Sequence, residues 1–308
     1  MSRCATDTCP VTVHVPTASR DRHVAVFYLH GGGLLYGERD DLPAPYVRAL
    51  TDAGYTLVCA DYPLCPEATM AQAVQSAFAT WKEYVAEAVE RGELTGYFLF
   101  GRSAGGHLAL MLAREIRRRG GANGGDALPQ PLGVLDFYGY PTLEDPAFRE
   151  PAAAYTGLPE VTRAQVDRIA PAGAPAPTSG PKALRYALYV YARQHEGAWL
   201  ELMGLDAGAE PGAGTETGGD AGAGDPASPA TWSLSAEDVA ALPPLFITAS
   251  SGDEDVPLRL SKALARTAPQ AAFKWVYYLP HDFDRDTADP TGMEVYRRAI
   301  AWMDGLTG

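Results

Sequence analysis

The sequence predicts an α/β fold: a mainly parallel sheet of about seven strands, helices on both faces, and an inserted helical cap. Three observations carry that expectation. Apolar strand-like runs alternate with helical patterns from Val24 to Tyr138. The alternation stops between residues 140 and 242, where short helical patterns occur without a clear strand. It resumes at Pro244 and runs to the C-terminal helix. The core is therefore expected over residues 1–139 and 243–308, with the cap insertion over 140–242.

Taken in order, residues 11–15 alternate apolar and polar side chains and read as an edge strand. Val24–Leu29 is continuously apolar and suits a central strand. A helix over residues 43–53 stops at Gly54, and residues 56–61 form the next strand. Between Glu67 and Arg91, Val74, Ala77, Phe78, Trp81, Tyr84, Val85 and Ala88 recur at helical spacing, with Gly92 as the stop. The apolar run from Tyr97 to Phe100 enters Gly101, and a helix follows over 104–119. Arg117, Arg118 and Arg119 crowd its last turn, where positive charge complements the helix dipole. Residues 132–138 make a further strand.

Within the cap, residues 161–170 and 182–194 have helical patterns. Residues 206–230 hold seven glycines and five acidic residues, with no Lys or Arg. Such a stretch buries too little apolar area to offset the entropy of ordering, so a disordered surface loop is expected there. Ser235 and Asp238 then form a capping-box start to a short helix. Residues 244–250 and 273–279 are the last two strands, with a helix over 257–267 between them. The closing helix aligns Met293, Tyr296, Ile300 and Met303 on one face.

Composition narrows the partners. The 308 residues carry 25 basic and 38 acidic side chains, a net charge of −13. That balance argues against nucleic acid or an anionic membrane surface and leaves a small-molecule substrate. No run approaches the ~18 apolar residues of a membrane span, and the N-terminus has no apolar signal core. Cys4, Cys9, Cys59 and Cys65 form no C-x-x-C pair. A disulfide between Cys4 and Cys9 is the alternative to a reduced, cytoplasmic chain, which is the simpler reading.

The chemistry centres on Gly101-Arg102-Ser103-Ala104-Gly105, which matches G-x-S-x-G between a strand and a helix. A serine hydroxyl needs a base to take its proton, and the base needs a carboxylate to orient it. Asp253 and His281 stand just beyond the last two strands, in the order that this turn demands. Glu254 and Asp255 compete for the acid role, although Asp255 is better placed to cap the helix after Pro257. His14, His23, His30, His107 and His195 are weaker choices for the base. Acyl transfer also needs donors for an oxyanion, each contributing roughly 3–4 kcal/mol. The run Gly31-Gly32-Gly33 follows a strand end, and Gly32, Gly33 and Ala104 are the expected amide donors. Leu34, Leu35 and Tyr36, together with the tyrosines of the cap, are candidates to line the acyl pocket. No metal site is expected.

Together, His30-Gly31-Gly32-Gly33, Asp61-Tyr62-Pro63-Leu64-Cys65-Pro66-Glu67, Gly101-Arg102-Ser103-Ala104-Gly105-Gly106, the Asp253 loop and His281 resemble the hormone-sensitive-lipase-like branch of the α/β-hydrolase fold. That resemblance implies carboxylic-ester hydrolysis through an acyl-serine, of short to medium acyl chains, without a cofactor. An amide, peptide or formamide hydrolase on the same scaffold is the alternative, and a non-catalytic ligand-binding protein the minor one. The chain departs from the family's pattern at Arg102, where an acidic residue is common, and at Asp282, where glycine is usual. It also departs at Pro63, Cys65 and the Asp-x-x-Val-Pro form of the acid loop.

Overall fold

Side-chain alternation along the central strands divides the core into two layers, one on each face of a single sheet. The computed structural model describes residues 8–121, 127–208 and 224–307. Its strands are β1 (Val11–His14), β2 (Val24–Leu29), β3 (Tyr55–Ala60), β4 (Gly96–Arg102), β5 (Gly133–Phe137), β6 (Leu245–Ser250) and β7 (Ala271–Val276). They lie in the order β1-β3-β2-β4-β5-β6-β7. Only β1 is antiparallel, pairing Val11 with Ala60 of β3.

Four helices belong to the first half: α1 (Ala44–Asp52), α2 (Met70–Trp81), α3 (Glu87–Glu90) and α4 (Ala104–Gly120). Thr69 and Gln72 close a capping box that starts α2, and a π turn over Lys82–Ala86 joins it to α3. The next helices, α5 (Ala153–Thr156), α6 (Arg163–Ile169), α7 (Lys182–Gln194), α8 (Ala198–Leu202) and α9 (Ala236–Ala240), lie between β5 and β6. The chain closes with α10 (Leu258–Thr267) and α11 (Pro290–Thr307). Among the described residues no helix is long and apolar enough to cross a membrane.

In β2, Val24, Val26 and Tyr28 pack with Tyr46 and Leu50 of α1 and Val295 and Met303 of α11. Ala25, Phe27 and Leu29 face the other layer, with Trp81 of α2 and Leu108 and Leu112 of α4. Both faces of β2 are buried, which is why its sequence shows no polar alternation. The parallel register sets Leu29 beside both Ala60 and Gly101, Arg102 beside Phe137, and Phe137 beside Thr248. The strands thus end at a common level, and the loops that follow them gather at one edge of the sheet.

Two expectations change. The last strand begins at Ala271 and stops at Val276, not at Leu279. Ser251 N–H donates to Val276 O and Tyr278 N–H to Ser251 Oγ, so the chain turns out of the sheet with Tyr278 at φ 59°. Of the stretch 206–230, expected to be a disordered loop, residues 206–208 and 224–230 are described and held by hydrogen bonds. Asp206 N–H donates to Ala227 O, and a 3-10 helix over Pro229–Trp232 buries Trp232, whose Nε1 donates to Pro226 O. One apolar anchor at Trp232 and this backbone bond hold the ends of the stretch, while residues 209–223 lie outside the described residues.

The closest backbone approach lies where β4 meets α4. A Cβ on Gly101 would stand 1.9 Å from Gly105 O, and one on Gly105 would stand 2.1 Å from Leu29 O. Gly101→Ala is therefore expected to destabilise the fold by about 3 kcal/mol, because the obstructing atoms are backbone. A lowered midpoint of urea unfolding at unchanged slope is the measurement that checks it.

Candidate active site

Ser103 occupies the single residue between β4 and α4, with φ 54° and ψ −121°. A non-glycine residue there is strained, and its neighbours hold it in place. Ser103 N–H donates to Phe137 O at 2.8 Å, and Ser103 O accepts from the amides of Gly106 and His107. The turn leaves the side chain at the sheet edge, where it lines a cavity of about 890 Å³.

The loops after β6 and β7 bring two further side chains to it. His281 Nε2 lies 2.8 Å from Ser103 Oγ, and His281 Nδ1 lies 2.7 Å from Asp253 Oδ2. Asp253 Oδ1 accepts the amides of Asp255 and Val256 at 2.9 and 2.8 Å, which fixes its carboxylate. Burial by itself lowers the pKa of His281, but the adjacent Asp253 charge and hydrogen bond outweigh it. With help from Asp255 and Asp282 the pKa is pushed up to about 10.

The rivals for these positions are engaged elsewhere. Asp255 does not cap the following helix: its Oδ1 accepts from Tyr189 OH, and α10 has Pro257 at its N-cap with no side-chain cap. His107 stacks on Tyr140, and burial pushes its pKa down to about 4. His30 stacks on Tyr62, and burial lowers its pKa also. His195 Nε2 lies at Val161 O in the inserted region. Burial pushes the Cys65 thiol up to about 12, far from a reactive thiolate.

The glycine run lies across from Ser103, and its peptide planes are aimed by hydrogen bonds to their carbonyls. In a trans peptide the C=O and N–H point oppositely. Gly31 O meets His30 Nδ1 at 2.8 Å and accepts from Tyr62 OH at 3.3 Å, which orients the amide of Gly32. Gly32 O accepts the amides of Leu35 and Tyr36, which orients that of Gly33. The third expected donor, Ala104, begins α4, whose first N–H groups have no intrahelical partner. Gly32 and Gly33 both line the cavity with positive φ, 103° and 63°.

The expected acyl-pocket residues divide. Tyr36 lines the cavity. Leu34 and Leu35 do not: both are fully buried in the core beneath the glycine run, because the turn at Gly32 directs them inward. Tyrosines of the inserted region also line the cavity, namely Tyr155, Tyr186 and Tyr189, together with Leu158 and, from the last loops, Asp282.

Several residues that shape the site escaped the sequence reading. Trp199 Nε1 donates to Gly33 O at 2.9 Å, and the Tyr189 ring fills the space where a Gly33 Cβ would stand. Arg185 is buried, with Nε on Leu35 O at 2.7 Å, Nη2 on Cys65 O at 2.8 Å, and both Nη atoms on Glu67. These contacts join positions 118 to 166 residues apart, so no local pattern announces them. Tyr62 was within reach, since it belongs to the Asp61-Tyr62-Pro63 motif beside the glycine run.

Comparison with known proteins agrees with this geometry at the level of fold. An alpha/beta hydrolase superfamily protein from Enterococcus faecalis superposes with a TM-score of 0.73 and 29% identity, over 96% of each chain. An esterase from the bacterial hormone-sensitive lipase family shares the fold at 21% identity, with a TM-score of 0.61 over 97% of this chain and 82% of that one. A non-reducing polyketide synthase of Penicillium brasilianum is 31% identical over 160 residues, which are 47% of this chain and 6% of that protein. A family model for the alpha/beta hydrolase fold matches residues 26–183, a little over half of the chain. With the glycine run and the serine turn inside that matched span, the chain belongs to the α/β-hydrolase-fold family.

Proposed function

We propose that the protein is a serine esterase that hydrolyses carboxylic esters of short to medium acyl chains. The single observation that supports this most is the continuous contact Ser103 Oγ–His281 Nε2–His281 Nδ1–Asp253 Oδ2, at 2.8 and 2.7 Å, beside a cavity that Gly32 and Gly33 also line. The esterase among its fold neighbours supports the same reading.

In this mechanism Ser103 Oγ attacks the ester carbonyl while its proton passes to His281 Nε2. Asp253 holds the imidazole and stabilises the imidazolium that forms. The carbonyl oxygen becomes an oxyanion and is received by the amides of Gly32, Gly33 and Ala104. Collapse breaks the bond to the alcohol, which leaves with the proton from His281. Water then gives a proton to His281 as it attacks the acyl-serine; collapse breaks the acyl–Oγ bond, His281 returns that proton to Ser103 Oγ, and the acid is released. The cavity wall supports a compact acyl group, since tyrosines and charged side chains dominate it and leucine appears only at Leu158 and Leu279. Cys59 and Cys65, buried and outside any disulfide, support a reducing, cytoplasmic setting.

Ser103→Ala is expected to lower kcat on p-nitrophenyl acetate by at least about 10⁴-fold while leaving the unfolding midpoint in place. Turnover at the wild-type rate would refute the mechanism, and faster cleavage of an aryl amide or N-formyl substrate than of the ester would move the reaction to C–N bonds. Asp253→Asn should cost about 10⁴-fold and Asp255→Asn less than about tenfold, since only Asp253 touches His281.

The pH profile follows from the raised pKa of His281. The imidazole must be neutral to accept the serine proton, and a raised pKa keeps it protonated to higher pH. Turnover should therefore climb as pH rises beyond the ordinary imidazole value of about 6.5. In Asp253→Asn the largest of the raising charges is gone while burial still lowers the pKa, so the residual activity should climb at lower pH. A rate–pH series on both proteins measures the direction of that displacement.

A further inference from the structure

The residue immediately before Ser103 is Arg102, a cation with 1% exposure whose charge plays no part in the reaction described above. A buried guanidinium is costly unless its donors are satisfied and its charge is paired. Here the partners come from the loop that carries the base. Arg102 Nη2 donates to Asp284 Oδ1 at 2.8 Å, and Asp284, three residues beyond His281, is fully buried. Arg102 Nε donates to Tyr138 OH at 2.7 Å, and Tyr138 OH donates in turn to Asp284 Oδ1 at 2.6 Å, closing a ring of three groups.

The second Asp284 oxygen accepts from Tyr296 OH at 3.0 Å, and its backbone carbonyl from Tyr46 OH at 2.8 Å. Asp41 and Asp282 lie farther from the guanidinium, at 3.6 and 3.9 Å. The Tyr138 ring stands edge-on to the His281 imidazole with centroids 4.9 Å apart, and packs also on Phe283 at 5.4 Å. The segment from His281 to Asp284 is thus gripped on both sides by groups attached to the serine turn and to the end of β5.

We propose that the Arg102–Asp284–Tyr138 ring is a positioning device that holds the His281 imidazole on Ser103 Oγ. Arg102 and Asp284 flank the two reacting side chains in sequence. A short, charge-assisted bond between them therefore sets the distance between nucleophile and base without touching substrate. The tight packing of Tyr138 against the imidazole edge fixes the ring's tilt. This inference rests on the hydrolase reading of Ser103 and His281, and it adds to that reading the means by which their separation is maintained.

The test compares wild type with Asp284→Asn, Tyr138→Phe, Arg102→Met and Arg102→Lys, using p-nitrophenyl acetate kinetics. A fluorophosphonate serves to count the reactive serines in each preparation. In Asp284→Asn, kcat per titrated serine should fall about 10- to 100-fold with KM within about twofold, the signature of a misplaced base. Tyr138→Phe leaves the ion pair in place, folds without an unpaired charge, and should lose about fivefold in kcat. Arg102→Lys should recover part of the kcat lost in Arg102→Met.

A ring with a purely structural role would give fewer titratable serines, each turning over at the wild-type rate. That result in both Asp284→Asn and Tyr138→Phe would overturn the proposal. Ser103→Ala run beside them separates the two claims. Undiminished turnover in that variant would overturn the hydrolase reading, whereas its inactivity together with full kcat in the ring variants would overturn the ring alone.

Discussion

The backbone contact at the serine turn is the constraint on which the rest of the structure depends. Gly101 meets Gly105 O, and Gly105 meets Leu29 O, closer than any Cβ would permit. That contact seats the start of α4 directly against β2 and β4, and it forces Ser103 into a left-handed conformation that exposes Oγ at the sheet edge. Such strain persists only where the surroundings over-determine it. Here the bond from Ser103 N–H to Phe137 O and the first turn of α4 supply that determination.

Because the parallel strands end level, loops far apart in sequence meet at that one edge. The acid loop after β6 and the base loop after β7 converge on the serine from one side, and the glycine run after β2 lies on the other. The two sides are held by different means. Polar contacts from the inserted helices, Trp199 on Gly33 O and Arg185 on Leu35 O, grip the glycine run. A paired backbone bridge between Gly37 and Gly180 ties its far end to the same region. The inserted region therefore shapes the cavity wall and also braces the glycine run.

Charge is concentrated around the base. Asp253, Asp255 and Asp282 all raise the pKa of His281 against the opposing effect of burial. Such a field favours the imidazolium form of His281. Asp282 is itself kept ionised below the ordinary carboxylate range: burial opposes this, but Arg102, His281 and Arg285 outweigh it. The cost of gathering carboxylates beside one imidazole is offset by cations placed behind and beside them.

Much of this was legible in the chain because the signals are local. Strand and helix alternation depends on side-chain period, and the serine turn announces itself through glycines whose missing side chains its geometry requires. Asp253 and His281 were legible because strand ends place them, and strands are recognisable one at a time. Leu34 and Leu35 turn into the core because the turn at Gly32 decides which way they point; that turn is closed by the amides of Leu35 and Tyr36, and its flanks are held by Trp199 and Arg185. Trp232, buried just beyond the glycine-rich stretch, and its bond to Pro226 O hold residues 226–232 together, a contact that composition does not reveal. The sequence by itself determined the fold family and the identities of the serine, base and acid candidates. Tertiary structure alone decided the cavity wall, the grip of Arg185 and Trp199 on the glycine run, and the ring around Arg102. Each of those joins residues distant in the chain, and no periodicity encodes a contact made only when the sheet brings its loops together.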